Sequence, residues 1–333
     1  VTPPHPPVRT ELAGHLPDGQ PVHRHVLRNA AGMQASILEY GAIMEWLSPP
    51  HGRGGERVNV LAGPDSLEGR LQDPLHCGAL LGRFAGRIAQ AGFLLGNTPV
   101  RLLPSAGGHH DDGGPAGLHS VLWTARHEQT VPVLVLSHVS PDGASGYPGS
   151  LVAQARYQLT NDNLLVVDMM ATSTAATICN LAQHCCFNLA GSPPSREILA
   201  EHELEVLACF VLPEEDGLPV APPRLVHGTS ADLRMPTRLG DRLPDDVMDL
   251  LLVLPGCIEA PDLVARLRHP PSGRELELYT TRPGLRVRVQ SGVGITLMDL
   301  HLPDSPNRPL FPSVVLSPGK LYRHTTVYRL LQR

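Results

Sequence analysis

Residues 151–160 read LVAQARYQLT and residues 164–172 read LLVVDMMAT, with Asn161-Asp162-Asn163 between them. Both runs alternate with a period of two, the signature of strands with one buried face. The Asn-Asp-Asn stretch suits the turn of a hairpin. The pattern recurs outward in both directions. Residues 130–139 (TVPVLVLSHV) are β-branched and alternating, and residues 35–47 (ASILEYGAIMEWL) hold short apolar runs broken by Gly41. Residues 285–290 (LRVRVQ) and 295–302 (ITLMDLHL) flank Ser291-Gly292-Val293-Gly294, a second hairpin signal. In Pro17-Asp18-Gly19 the proline presets φ and the glycine accepts positive φ, which predicts a turn. Helix signals are short. Residues 200–208 (AEHELEVLA) fit helix or strand equally.

Composition agrees. The 333 residues include 32 glycines and 34 prolines, about a fifth of the chain, too many for long helices. Apolar residues are 42% of the total, enough for a large core and too many for a disordered chain. The net charge of −5 lacks the basic footprint of a nucleic-acid binder. No stretch approaches the roughly 20 apolar residues of a membrane span. Residues 1–11 read as a flexible Pro-rich arm, and VTPPHPP at its start has no apolar run that would make a leader. No repeat or composition shift divides the rest, so residues 12–333 are expected to form a single all-β domain, a large antiparallel β-sandwich. Six cysteines (Cys77, Cys179, Cys185, Cys186, Cys209, Cys257) form no CxxC pair, which removes zinc-ribbon and thioredoxin readings. They read as buried residues or free thiols, consistent with a reducing, cytoplasmic setting.

Several segments carry a resemblance when taken in order. They are Asp18-Gly19, Gly32-Met33, Glu39-Tyr40-Gly41-Ala42, residues 82–88 (GRFAGRI), 113–123 (GGPAGLHSVLW), 180–191 (NLAQHCCFNLAG), 303–313 (PDSPNRPLFPS) and 317–328 (SPGKLYRHTTVY). Together, from about Leu12 to Leu331, they resemble the aldose 1-epimerase (galactose mutarotase) family. The resemblance implies a β-supersandwich whose open cleft takes a sugar ring, with no metal or organic cofactor. It implies mutarotation, in which a Glu base takes the proton of the anomeric hydroxyl and a His acid protonates the ring oxygen. Each transfer is worth roughly 10²–10⁴-fold. A second His, an Arg and an Asp hold the sugar.

By that resemblance the acid falls on His184, and a strand through it sets Asn180, Ala182, His184, Cys186 and Asn188 on one face. A core histidine bonded to nearby backbone is the plainer alternative for an isolated His. The sugar-binding Arg falls on Arg87, whose planar fork suits paired oxygens. The family's preceding Asn is Gly86. The second His falls on Asp112, and His110 in the same loop is a further candidate contact. His109, His110, Asp111 and Asp112 invite a metal reading, but neighbours in sequence rarely converge on one ion, and a solvated loop is preferred. The sugar-binding Asp falls on Asp249, with Asp245 and Asp246 just upstream. The family's His and Asn after it are Leu250 and Leu251.

The largest departure concerns the base. Ungapped alignment through Pro303-Asp304-Ser305-Pro306-Asn307 puts Met298 at the Glu position. Asp299 is adjacent and should face the other way. With Met298, Leu250 and Leu251 the cleft is expected to be more apolar and to hold a less polar ring. The expected function is an aldose 1-epimerase-like isomerase acting on a hemiacetal or related cyclic substrate through His184, with Asp112 as the remaining carboxylate. A conventional hexose mutarotase, a non-catalytic sugar or metabolite binder, and a cyclase or isomerase of specialised metabolism are the alternatives. The partner is a small molecule, without nucleic acid or membrane, and the chain is expected to be a monomer or homodimer.

Overall fold

The computed structural model describes residues 7–50, 57–242, 247–255 and 259–333. Cys257, Asp245 and Asp246 lie outside the described residues, as does the start of the proposed arm. Its end does not. Val8–His15 is a strand, paired antiparallel with Pro21–Arg28, so residues 8–11 belong to a sheet. Val8 is buried in the main core, which is what ties this segment down.

Two large antiparallel sheets face each other. The first has nine strands, in the order Thr124–His127, Val133–Ser140, Leu151–Leu159, Leu164–Ser173, Tyr322–Gln332, Arg274–Thr280, Asp262–His269, Glu203–Val206 and Thr237–Arg238. The second has six, in the order Cys186–Phe187, Gly294–Leu300, Gly284–Gln290, Val247–Val253, Phe210–Val211 and Arg224–Leu225. A four-stranded sheet, Val8–His15 to Met44–Ser48, flanks them. Both hairpins expected from the sequence are present. Leu159 pairs with Leu165, and Gln290 pairs with Gly294. Along Leu151–Leu159 the odd residues are buried and the even ones reach solvent, as period two requires. The ambiguous residues 200–208 resolve as the end of helix Arg196–Ala200 followed by strand Glu203–Val206.

Strand Gly294–Leu300 is buried at every position because both its faces are covered. Ile295 and Leu297 join the core between the sheets, whereas Met298 and Leu300 join a separate apolar cluster with Leu81 and Ala182. Asp299 points with Leu297 into the interior. It accepts hydrogen bonds from the hydroxyls of Thr280 and Thr326 and lies 2.9 Å from Nε2 of His324, all on the nine-stranded sheet. Burial pushes its carboxyl up, but His324 and the two hydroxyls outweigh that and hold it below the usual range.

Two buried histidines are locked in one neutral tautomer. His202 donates from Nδ1 to the Ile198 carbonyl and accepts at Nε2 from the Leu189 N–H. His110 donates to the Leu103 carbonyl and accepts from the Tyr147 hydroxyl. A second proton on His202 would break the bond it accepts, because the Leu189 N–H cannot act as an acceptor. Burial, with His269 beside it, pushes His202 down to about 4, and burial lowers His110 too. The unfolded chain therefore binds more protons between pH 6.5 and about 4. Stability from His202 is full above its unfolded value and is lost as pH falls towards about 4. Urea midpoints should drop between pH 7 and 5 by the equivalent of roughly 1–2 kcal/mol from His202; a flat or rising midpoint would contradict the tautomer assignment.

The loop that carries Asp112 depends on one glycine. Gly113 has φ +93°, and a Cβ there would lie 1.8 Å from the Gly82 carbonyl oxygen. Gly107, at φ +82°, has open space around it. Gly113→Ala should cost about 3 kcal/mol or more by chemical denaturation. Gly107→Ala should cost about 1 kcal/mol.

Candidate functional site

A cleft of about 710 Å³ opens over the outer face of strand Gly294–Leu300. His184 reaches it because its neighbours are fastened elsewhere. The His184 N–H donates to Ala79 and its carbonyl accepts from Gly78. Gln183, on the opposite face, donates to the carbonyls of Ala42 and Gly78 and accepts from the Tyr157 hydroxyl. Cys185 follows Gln183 into the core, while Cys186 turns back with His184. The Cys186 sulfur is 2.9 Å from that of Cys77 and 3.6 Å from the Thr296 hydroxyl. The hydrogen-bonded contact between the two sulfurs draws the Cys186 thiol down to about 6 and raises Cys77.

His184, Asp112, Arg87, Asp249 and Met298 all line this one cleft. Asp112 sits in a left-handed turn (φ +51°), and its Oδ1 accepts the Gly86 N–H at 2.7 Å. Arg87 is already engaged. It forks onto Asp111 at 2.6 and 3.1 Å and donates to the Asp216 carbonyl, and the Asp111 bond raises its pKa. Asp249 is engaged as well, accepting from Arg286 at 2.8 Å. Arg286 pairs across the sheet with Met298 and also forks onto Glu214 at 2.9 and 2.7 Å. Met298 is 5% exposed. Asp299, behind it, does not reach the cleft.

Two expected contacts are placed elsewhere. His110 is fully buried under Tyr147, outside the cleft lining, because its neighbour Asp111 takes the outward position opposite Arg87. Leu250 packs against the main core. Asp249 and Leu251 share the other face of their strand, so it is Leu251 that clusters with Met298. The expectation of an apolar cleft needs the same kind of correction. Leu81, Met298 and Leu300 form an apolar floor, but the walls carry three arginines and four aspartates. Among the described residues no group of three or more His, Cys, Asp or Glu side chains is arranged to hold a metal ion. No helix among them is long and apolar enough to cross a membrane.

Two further imidazoles stand at the Asp112 end. His76 and His119 stack with ring centroids 4.1 Å apart and line the cleft beside His184. Burial, then the neighbouring His76, pushes His119 down to about 4, so the stacked pair is neutral at pH 7. Burial lowers His76 too, against the pull of Asp112 and Asp73. Sequence reading passed over both. His119 lies inside the GGPAGLHSVLW segment, and its position there was the available signal; His76 offered none, since its strand-free loop has no periodicity to read.

Residues 23–329 match the model of the family described as aldose 1-epimerase. Over 342 aligned residues the chain is 34% identical to the galactose mutarotase of Bos taurus, covering 97% of this chain and 98% of that one. It is 31% identical to the aldose 1-epimerase of Escherichia coli (strain K12), covering 96% and 99%. In fold it is similar to the galactose 1-epimerase of Lactobacillus acidophilus NCFM, with a TM-score of 0.84 at 24% identity over 97% and 98% of the two chains. The family match spans both large sheets and every wall of the cleft: this chain belongs to the aldose 1-epimerase family.

Proposed function

We propose that the protein is an aldose 1-epimerase-type isomerase whose acid–base set differs at the base. The observation that carries this is the pairing of His184 with Met298 in one cleft, while the only acid on strand Gly294–Leu300 is turned into the core. A thioether does not accept a proton at neutral pH, so the base must come from elsewhere in the cleft. Asp112 is the residue assigned. Among the described residues it is the lining aspartate whose charge acts on both His76 and His119, and its carboxylate accepts from the Gly86 N–H and not from an arginine. Asp111 and Asp249 are held by Arg87 and Arg286.

The reaction then runs as follows. Asp112 takes the proton of the anomeric hydroxyl, the electron pair forms the C1 carbonyl, and the C1–O ring bond breaks. His184 delivers a proton to the departing ring oxygen. Rotation about the C1–C2 bond and reversal of both transfers closes the other anomer. Nδ1 of His184 is shut off from solvent and has no partner among the described residues, so Nε2 is the nitrogen assigned to exchange with substrate. The apolar floor of Leu81, Met298 and Leu300 supports a ring with one less polar face, and the charged walls support hydroxyls along its rim.

Polarimetry with α-D-galactose and α-D-glucose tests the reading. Met298→Glu should raise mutarotation by roughly 10²-fold or more. Wild-type rates already equal to those of Met298→Glu would overturn the assignment and favour an ordinary hexose mutarotase. Asp112→Asn keeps the acceptor for Gly86 and should lower kcat by about 10²-fold with KM little changed. His184→Ala should lower it at least as much. Saturable sugar binding with no turnover in any of these proteins would favour a binding module instead.

A further inference from the structure

Past the C-terminal end of strand Gly294–Leu300, at His301 and Leu302, lies a second cavity of about 1060 Å³. It is bounded by the chain segments at residues 219–223, 253–255, 281–283 and 301–323. Its walls are mostly proline and aliphatic side chains. Every charged residue among its described lining is a cation: Arg282, Arg308, Lys320 and Arg323. Neither Asp nor Glu is among them.

Arg282 is the unusual member. It is 5% exposed, yet no ion pair among the described residues includes it. Its guanidinium lies 4.9 Å from the centroid of the Tyr322 ring and donates to the Tyr322 hydroxyl, while Nε has no hydrogen-bond partner. The carboxylate that acts on it through space is Asp299, whose Oδ2 is committed to Thr280, Thr326 and His324 and whose Oδ1 makes no hydrogen bond to Arg282 or to any other described group. Nδ1 of His301, which also lines the cavity, is likewise buried and unpartnered. Arg308 and Arg323 differ, because Asp304 and Asp168 neutralise them from outside the cavity. Burial lowers Arg282 only to about 10, so it stays charged at neutral pH. A buried charge without a bonded counter-ion is costly, and a concave apolar site with a few convergent polar groups is the usual form of a small-molecule pocket. At the rim, Leu310 is 98% exposed and Leu321 61%.

We infer that this cavity binds a small organic acid with an apolar body. The carboxylate meets Arg282 and His301, and the hydrocarbon lies along Leu254, Phe311, Val314 and Leu316. The site is separate from the sugar cleft and does not depend on the chemistry assigned there.

Isothermal titration of the full chain with octanoate, and with octan-1-ol as the neutral analogue of the same length, tests the inference. Octanoate should bind saturably with one site per chain, and octan-1-ol at least about tenfold more weakly. Arg282→Gln should weaken octanoate by about tenfold or more. Val315→Glu sets an acid at the wall on a side chain that is 49% exposed, and so tests the same point without touching a buried group; it should weaken octanoate comparably. Equal affinity for acid and alcohol, affinity unchanged in Val315→Glu, or no saturable octanoate binding would overturn the inference. A concentration-dependent dimer in sedimentation, lost in Val315→Glu and unaccompanied by octanoate binding, would assign the face to a second copy of the chain.

Discussion

A single buried carboxylate sets the phase of the strand on which the site is built. Asp299 reaches from the six-stranded sheet to Thr280, Thr326 and His324 on the nine-stranded one. Leaving that carboxylate unbonded in the interior would be expensive. A slip of one residue would exchange the two faces of the strand, moving Asp299 into the cleft and Met298 into the core. Because those bonds hold, Thr296, Met298 and Leu300 form the cleft side and cannot trade places with their neighbours. The identity of residue 298 thus becomes a statement about chemistry and not only about packing.

The walls above that floor are organised by pairing among themselves. Arg87 is held by Asp111, and Arg286 by Glu214 and Asp249. Such pairs orient side chains that would otherwise sample many rotamers, which suits the proposed role of presenting fixed donors and acceptors to a ring of hydroxyls. The Asp112 end is different. There a carboxylate shares its surroundings with three imidazoles and no guanidinium is bonded to it. This asymmetry, a paired end and an unpaired end, is the ground on which proton transfer is proposed for Asp112 and holding for the other acids.

Much of the architecture was readable from periodicity. The hairpins around Asn161-Asp162-Asn163 and Ser291-Gly292-Val293-Gly294 followed from alternation and turn chemistry, both of which act over a few residues. Readings failed where a choice between faces or between partners was involved. Leu250 was expected in the cleft, yet the strand puts Asp249 in the cleft wall and Leu251 beside Met298 beneath it, and turns Leu250 to the core. His110 was a candidate contact, and Tyr147, 37 residues away, instead buries it. The supposed arm ends at Val8 because that side chain finds the main core. His76 and His119 lie 43 positions apart and become one stacked pair only when two loops meet at the mouth of the cleft.

By itself, then, the amino-acid order determined the strand class, the two tight turns and the family, since each rests on local spacing or on ungapped motifs. Tertiary structure decided which of those residues share a cavity and which are spent on one another. It paired Arg87 with Asp111, drew Cys77 to Cys186, and left Arg282 buried without a bonded acid. Those outcomes depend on distances between strands far apart in the chain, and no short window of sequence contains them.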